Sequence, residues 1–175
     1  MMFIKRKLFL VGLFFVLSLT FFSSAIGQNN SGYAVLEENE LAKLVPTSFY
    51  FAGQSASTQM RNAAAAKIGK DRFVVVGMVD TSGYSTEISG KYEGFLITDS
   101  PIRLGNKRLG TGAYGFGFAS DGKLKIFDLS SKEILWVRTT NDSEINRPRP
   151  LLMRAEKNGI RLYKGKTFVL IARSN

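Results

Sequence analysis

GAYGFGFASDGKLKIFDL, Gly112 to Leu129, decides how this chain folds. Two apolar-rich runs flank Asp121-Gly122, a dipeptide that closes tight β-hairpins because both residues tolerate positive φ. With these two as the turn, Ala119 opposes Leu124, Gly117 opposes Ile126 and Gly115 opposes Asp128. On the other face Phe118 meets Lys125, Phe116 meets Phe127 and Tyr114 meets Leu129. Alternation thus puts three aromatic rings on one side of the first strand and only Gly or Ala on the other. A bare strand face marks either close approach by another group or the tight curvature of a small barrel.

Outward from this hairpin the pattern stays β. On the N-terminal side lie SFYF (Ser48–Phe51), RFVVVGMVD (Arg72–Asp80) and KYEGFLIT (Lys91–Thr98). The second of these is too apolar for a strand with one wet face. On the C-terminal side lie EILWVR (Glu133–Arg138), then LLMRAE and IRLY around Asn158-Gly159, then TFVLIA after Gly165. TQMRNAAAAKI, Thr58 to Ile68, is ambiguous: four alanines favour helix, but Gly69-Lys70-Asp71 joins it to the next strand as a hairpin would, and strand is preferred. LEENELAKL, Leu36 to Leu44, reads as one short helix, acidic early, basic late and stopped by Pro46. Nine or ten short strands at hairpin spacing predict an all-β domain, an antiparallel up-and-down β-barrel first and a β-sandwich second.

The N-terminus sets the address. Lys5, Arg6 and Lys7 precede the 15-residue apolar run Leu8–Phe22, and Ala25 and Gly27 stand where a signal peptidase reads. The expected division is a signal peptide over 1–27, a polar tether over 28–35 and a single β domain over 36–175. The run is short of the roughly 20 residues that span a bilayer, so the mature chain is expected to be secreted or periplasmic without stable membrane insertion. Most of the strands are also shorter than the roughly 9 to 11 residues an outer-membrane barrel requires.

Composition excludes much chemistry. Cysteine and histidine are both absent, which removes lipoprotein anchoring, disulfides, Ser-His-Asp and Cys-His catalysis and histidine-ligated zinc. No cofactor is expected. Gly110, Gly112 and Gly115 fall on the G-x-G-x-x-G spacing of a kinase phosphate loop, but that chemistry also needs His-Arg-Asp and Asp-Phe-Gly, and neither occurs. The glycines are read as architectural. Carboxylates Glu37, Glu38 and Glu40 fit a solvated helix start, and Asp142 and Glu144 lack calcium-loop spacing.

Two functional candidates remain. Met78 to Ser85, MVDTSGYS, resembles the aspartic-protease active-site stretch, in which two apolar residues lead into D-T-G and a small residue. That resemblance implies a homodimeric hydrolase with Asp80 as the catalytic acid, sharing a proton with its twin. It departs at Ser82, inserted between Thr81 and Gly83; the alternative is that Asp80 ends a strand and bonds the backbone of the turn after it. The second candidate is electrostatic. From Gln28 to Asn146, 13 basic residues balance 13 acidic ones, whereas Arg147 to Asn175 holds eight basic residues against Glu156 alone. RPRP, Arg147 to Pro150, presents two arginines from an extended loop. An Asn158-Gly159 turn would set Glu156 against Arg161 and Arg154 against Tyr163.

Arg147, Arg149, Arg154, Arg161 and Tyr163 are therefore the expected ligand-binding residues, for an anionic or lipid-like envelope ligand such as phospholipid or lipopolysaccharide phosphate. The bland alternative is a solvated strand face. Nucleic acid is not expected outside the cell, and no nucleic-acid-binding motif is present. Tyr92, Phe95, Tyr114, Phe116, Phe118, Phe127 and Trp136 either line a cavity or fill a core, and a filled core is preferred. A non-enzymatic binding or envelope-associated module is the leading expectation; the Asp80 hydrolase and a purely structural exported protein are the alternatives.

Overall fold

The structure is a computed structural model, and it describes residues 32–174. The proposed signal segment therefore lies outside the described residues. Strand β1 (Tyr33–Val35), helix α1 (Glu38–Leu44), β2 (Ser48–Phe51), β3 (Gln54–Ile68) and β4 (Phe73–Val79) come first. Helix α2 (Thr86–Ser89), β5 (Gly94–Thr98), β6 (Ile102–Leu104), β7 (Lys107–Leu109), β8 (Gly112–Ala119), β9 (Lys123–Phe127) and β10 (Glu133–Arg138) follow. Strands β11 (Thr140–Asn141), β12 (Arg149–Glu156), β13 (Gly159–Gly165) and β14 (Thr167–Arg173) complete the chain.

The fold is all-β and antiparallel, as expected, but its strands form two sheets and neither is closed into a barrel. The larger runs β1-β3-β4-β5-β8-β9-β10, with β2 also on β3; the smaller runs β12-β13-β14-β6-β7, with β11 on β14. A continuous up-and-down order is broken at PIRLGNKRL, where the β6–β7 hairpin leaves the larger sheet and joins β14. That hairpin, β1, β11 and α2 were not foreseen. Tyr33 to Val35, the end of the expected tether, pair with Ile68 to Ala66 and so belong to the sheet.

Burial explains why so many strands are apolar on both faces. One core lies between the sheets and takes Val74, Val76, Leu96, Phe116, Leu124 and Ile126 from the larger and Ile102, Leu104, Ile160, Leu162 and Ile171 from the smaller. A second core covers the outer face of the larger sheet, where Val75, Phe95 and Phe127 meet Phe49 and Phe51 of β2 and the loop residues Tyr84 and Tyr92. The aromatic set thus divides between two cores and the surface. Phe116 fills the first and Tyr92, Phe95 and Phe127 the second, while Trp136 is 39 % exposed.

The doubtful alanine segment is strand. Ala63 to Lys67 pair with Gly77 to Phe73 of β4, and small side chains fit there because Ala65 and Ala66 are fully buried under the two cores. Sheet packing outweighs the helix propensity of alanine, a few tenths to about 0.7 kcal/mol per residue.

Both hairpin registers need correction. In β8–β9 the pairs are Ala119 with Lys123, Phe118 with Leu124 and Phe116 with Ile126. The loop has three residues, Ser120 to Gly122, with Gly122 at φ 75°, the geometry of a turn followed by a left-handed residue. A one-residue slip exchanges partners between faces, and here it sets Phe116 and Phe118 against aliphatic residues rather than Phe127 and Lys125. In β12–β13, Glu156 pairs with Gly159 and Arg154 with Arg161. The shift of two residues keeps every side chain on its expected face.

Candidate functional site

Part of the charge of the basic C-terminal hairpin is answered by the protein's own acids. Arg161 lies 3.5 Å from Asp142 and 3.3 Å from Glu156. The Tyr163 hydroxyl donates to Asp142 at 2.8 Å and accepts from the Arg161 guanidinium at 3.3 Å. Arg161 also stands 4.6 Å over the Phe168 ring, and Arg154 stands 5.6 Å over Tyr163. Tyr163 itself is 1 % exposed. The hydrogen bond from Tyr163, with further donation from Glu144 N–H and the nearby Arg161, holds the Asp142 carboxyl below its usual range; burial pushes the Tyr163 hydroxyl up. Arg161 and Tyr163 are therefore members of a polar cluster, and their pairing with Asp142 was not legible in the sequence because that acid lies in a separate loop.

Arg147 and Arg149 differ. Both are exposed, and no ion pair among the described residues engages either. Arg149, Pro148 and Pro150 line a concavity of about 600 Å³ together with Phe118, Ala119, Ser120, Lys164, Gly165 and Thr167. Lys164 is paired with Glu93, whose second oxygen accepts from Phe118 N–H at 2.9 Å. Lys164 is thus paired, while Arg149 is left without an ion-pair partner among the described residues.

The same end of the fold continues toward Trp136. Ala119 pairs with Lys123 and Lys123 with Arg138; Trp136 pairs with Lys125. Lys123 Nζ lies 4.9 Å and Lys107 Nζ 5.8 Å from the indole ring centre. Asp121 answers Lys123 at 2.6 Å and Glu133 answers Lys125 at 3.1 Å. Among the described residues no ion pair engages Lys107 or Arg138. Ile134 and Leu129, 43 % and 42 % exposed, lie toward the other end of these strands, near Phe127. The exposed indole ring here stands among cations.

Asp80 makes the local bonds of a turn. Its carboxylate accepts from Ser82 N–H at 3.0 Å, and its own N–H donates to Ser57 O at 2.9 Å. The Ser82 bonds hold the carboxyl below its usual range, so it is ionised at neutral pH. A shallow recess of about 210 Å³ with Gln54, Ser57 and Tyr84 adjoins it. The inserted Ser82 is thus the residue that holds the carboxylate.

The glycines of the opening stretch have a packing cause. A Cβ at Gly115 would lie 2.3 Å from the Phe51 ring, and one at Gly117 would lie 1.9 Å from Lys91 O. The bare face of β8 is bare because β2 and the chain after α2 press on it. Among the described residues no group of three or more acidic residues is arranged to hold a metal ion, and no helix is long and apolar enough to cross a membrane. Comparison with protein-family models, with curated proteins and with solved structures gave no significant match.

Proposed function

We propose that this chain is an exported, non-enzymatic module that rests on an anionic lipid surface of the cell envelope. Export is carried by the tripartite pattern of residues 1–27. The contact is the rim of the fold that carries Arg149 and Phe118, with Arg147 two residues earlier in the chain and Lys123, Arg138 and Trp136 on the neighbouring strands β9 and β10. We read the two sheets as halves of a barrel parted along two seams, since β1 runs beside β12 and β10 beside β7. The space between them is filled by side chains, so a lipid would be met at the rim and not swallowed.

The observation that supports this most is the placing of an arginine that lacks an ion-pair partner among the described residues beside apolar neighbours in one concavity, Arg149 with Pro148, Pro150 and Phe118. Cations draw the protein to anionic headgroups, and aromatic or apolar side chains then occupy the interface. Each Lys or Arg near an anionic surface contributes about 1 kcal/mol, which falls away beyond a Debye length of ~8 Å at physiological salt. The Arg154–Arg161–Tyr163 cluster is assigned a structural part, holding β12 and β13 to the Asp142 loop.

Co-sedimentation with vesicles tests the reading. The mature chain should partition onto vesicles of phosphatidylglycerol, and R147Q/R149Q should lower the partition coefficient by about 2 kcal/mol, roughly 30-fold. Equal partition of the two proteins, both shown folded by circular dichroism, would overturn it.

A further inference from the structure

At the opposite end of the larger sheet, a second concavity of about 790 Å³ has a different character. Lys70 and Arg72 reach it from the β3–β4 turn, Arg103 from β6 and Arg173 from the end of β14, with Tyr33, Ser100 and Asn158 between them. No carboxylate is among the described residues that line it. We propose that this concavity is a binding site for a phosphorylated sugar, separate from the lipid-facing end.

Its cations are placed by backbone, from elements far apart in sequence. The β3–β4 turn is closed by Ile68 N–H donating to Arg72 O at 2.9 Å, with Gly69 and Asp71 at positive φ, which fixes where Lys70 and Arg72 start. Arg103 is held in register opposite Ala172. Arg173 donates its N–H to the Tyr33 hydroxyl at 3.1 Å, and its guanidinium lies 5.2 Å from the Tyr33 ring centre. The two acids closest in sequence do not answer this charge. Asp99 accepts from Phe73 N–H at 3.0 Å, Asp71 is a turn residue outside the lining, and no ion pair among the described residues engages Lys70, Arg72 or Arg103.

Gathering Lys70, Arg72 and Arg103 around one concavity raises the energy of the protein by like-charge repulsion, which a bound anion relieves. Phosphate suits guanidinium groups because its oxygens accept the paired, charge-assisted hydrogen bonds that arginine offers. The volume lies within the range of small-molecule sites, about 300–1,000 Å³, and exceeds what one phosphate fills. The rest of the lining combines polar groups, Ser100, Asn158 and Ser174, which match sugar hydroxyls, with Tyr33 and the small apolar surface of Ile68, Pro101 and Ala172, which suits the face of a sugar ring. The register separates the two sites. Val74 pairs with Thr98 and Thr98 with Gly112 at this end, whereas Ala119 and Lys123 mark the other.

Calorimetric titration of the mature chain, residues 28–175, with glucose 6-phosphate, inorganic phosphate and glucose tests the assignment. Glucose 6-phosphate should bind saturably and more tightly than inorganic phosphate, and glucose should give no heat. R72Q and R103Q should each weaken binding about tenfold, and K70Q/R72Q/R103Q should abolish it while the unliganded melting temperature holds or rises. R147Q/R149Q should bind the sugar phosphate like the parent chain. Absence of glucose 6-phosphate binding, equal affinity for inorganic phosphate, or full binding by the triple variant would each overturn the proposal.

Discussion

Gly117 carries more of the fold than its size implies. A methyl group there meets the Lys91 carbonyl at 1.9 Å, a backbone atom that cannot rotate aside. Gly117→Ala should therefore lower unfolding free energy by about 1–3 kcal/mol, read from the urea midpoint. Gly83→Ala, with nothing within 4 Å of the added atom, should stay within about 0.5 kcal/mol. Asp142 makes a prediction in pH. Its folded-state carboxyl titrates below the unfolded one, so between the two values the unfolded chain binds more protons and stability rises with pH. The contribution is complete above the ordinary carboxylate range and is lost as pH falls through the folded value. Asp142→Asn should flatten the acid limb of a stability–pH curve; an unchanged limb would remove Asp142 from the cluster. The bare face of β8 was legible from alternation alone. What pressed on it was not, because Phe51 and Lys91 approach from elements that no local pattern ties to β8.

At the scale of elements, composition identified strands well and their partners less well. β4 reads as buried on both sides, and it separates the two cores. β3 was decided by its turn rather than by its alanines. The β6–β7 hairpin was missed although IRL and KRL flank Gly105-Asn106, a two-residue turn signal; its strands are only three residues long. Both hairpin registers slipped, since a turn dipeptide does not reveal whether the loop holds two residues or three, nor which two. β2 is the element on which the second core depends. Phe51 is fully buried and stacks on Tyr92 with ring centres 3.9 Å apart. Phe51→Ala should cost about 3–5 kcal/mol, and a loss under 1 kcal/mol in chemical denaturation would show that β2 is not fastened to the sheet as described.

The charge of the whole molecule is distributed differently from the sequence impression. The C-terminal segment supplies eight cations, yet the hairpin consumes part of that charge internally through Asp142 and Glu156. The groups left open gather at two ends of the fold. Arg149 stands with Pro148, Pro150 and Phe118 at one end; Lys70, Arg72 and Arg103 share a concavity with Ser100 and Asn158 at the other. Arg147 and Arg149 were legible as a basic loop, but Phe118 and Trp136 became relevant only once β8, β9 and β10 lay side by side. Lys70, Arg72 and Arg103 were invisible as a group because they are scattered along the chain. Salt should separate the two ends from the core: raising ionic strength from 0.05 to 0.5 M should weaken vesicle binding strongly and change the melting temperature little.

The chain holds a single tryptophan, Trp136, placed where the lipid contact is proposed, so its emission reports that contact without labelling. On adding phosphatidylglycerol vesicles, emission should shift to shorter wavelength and be quenched by brominated acyl chains; phosphatidylcholine vesicles should do neither. Emission unchanged by phosphatidylglycerol, or shifted equally by both lipids, would contradict an anionic surface as the partner of this face.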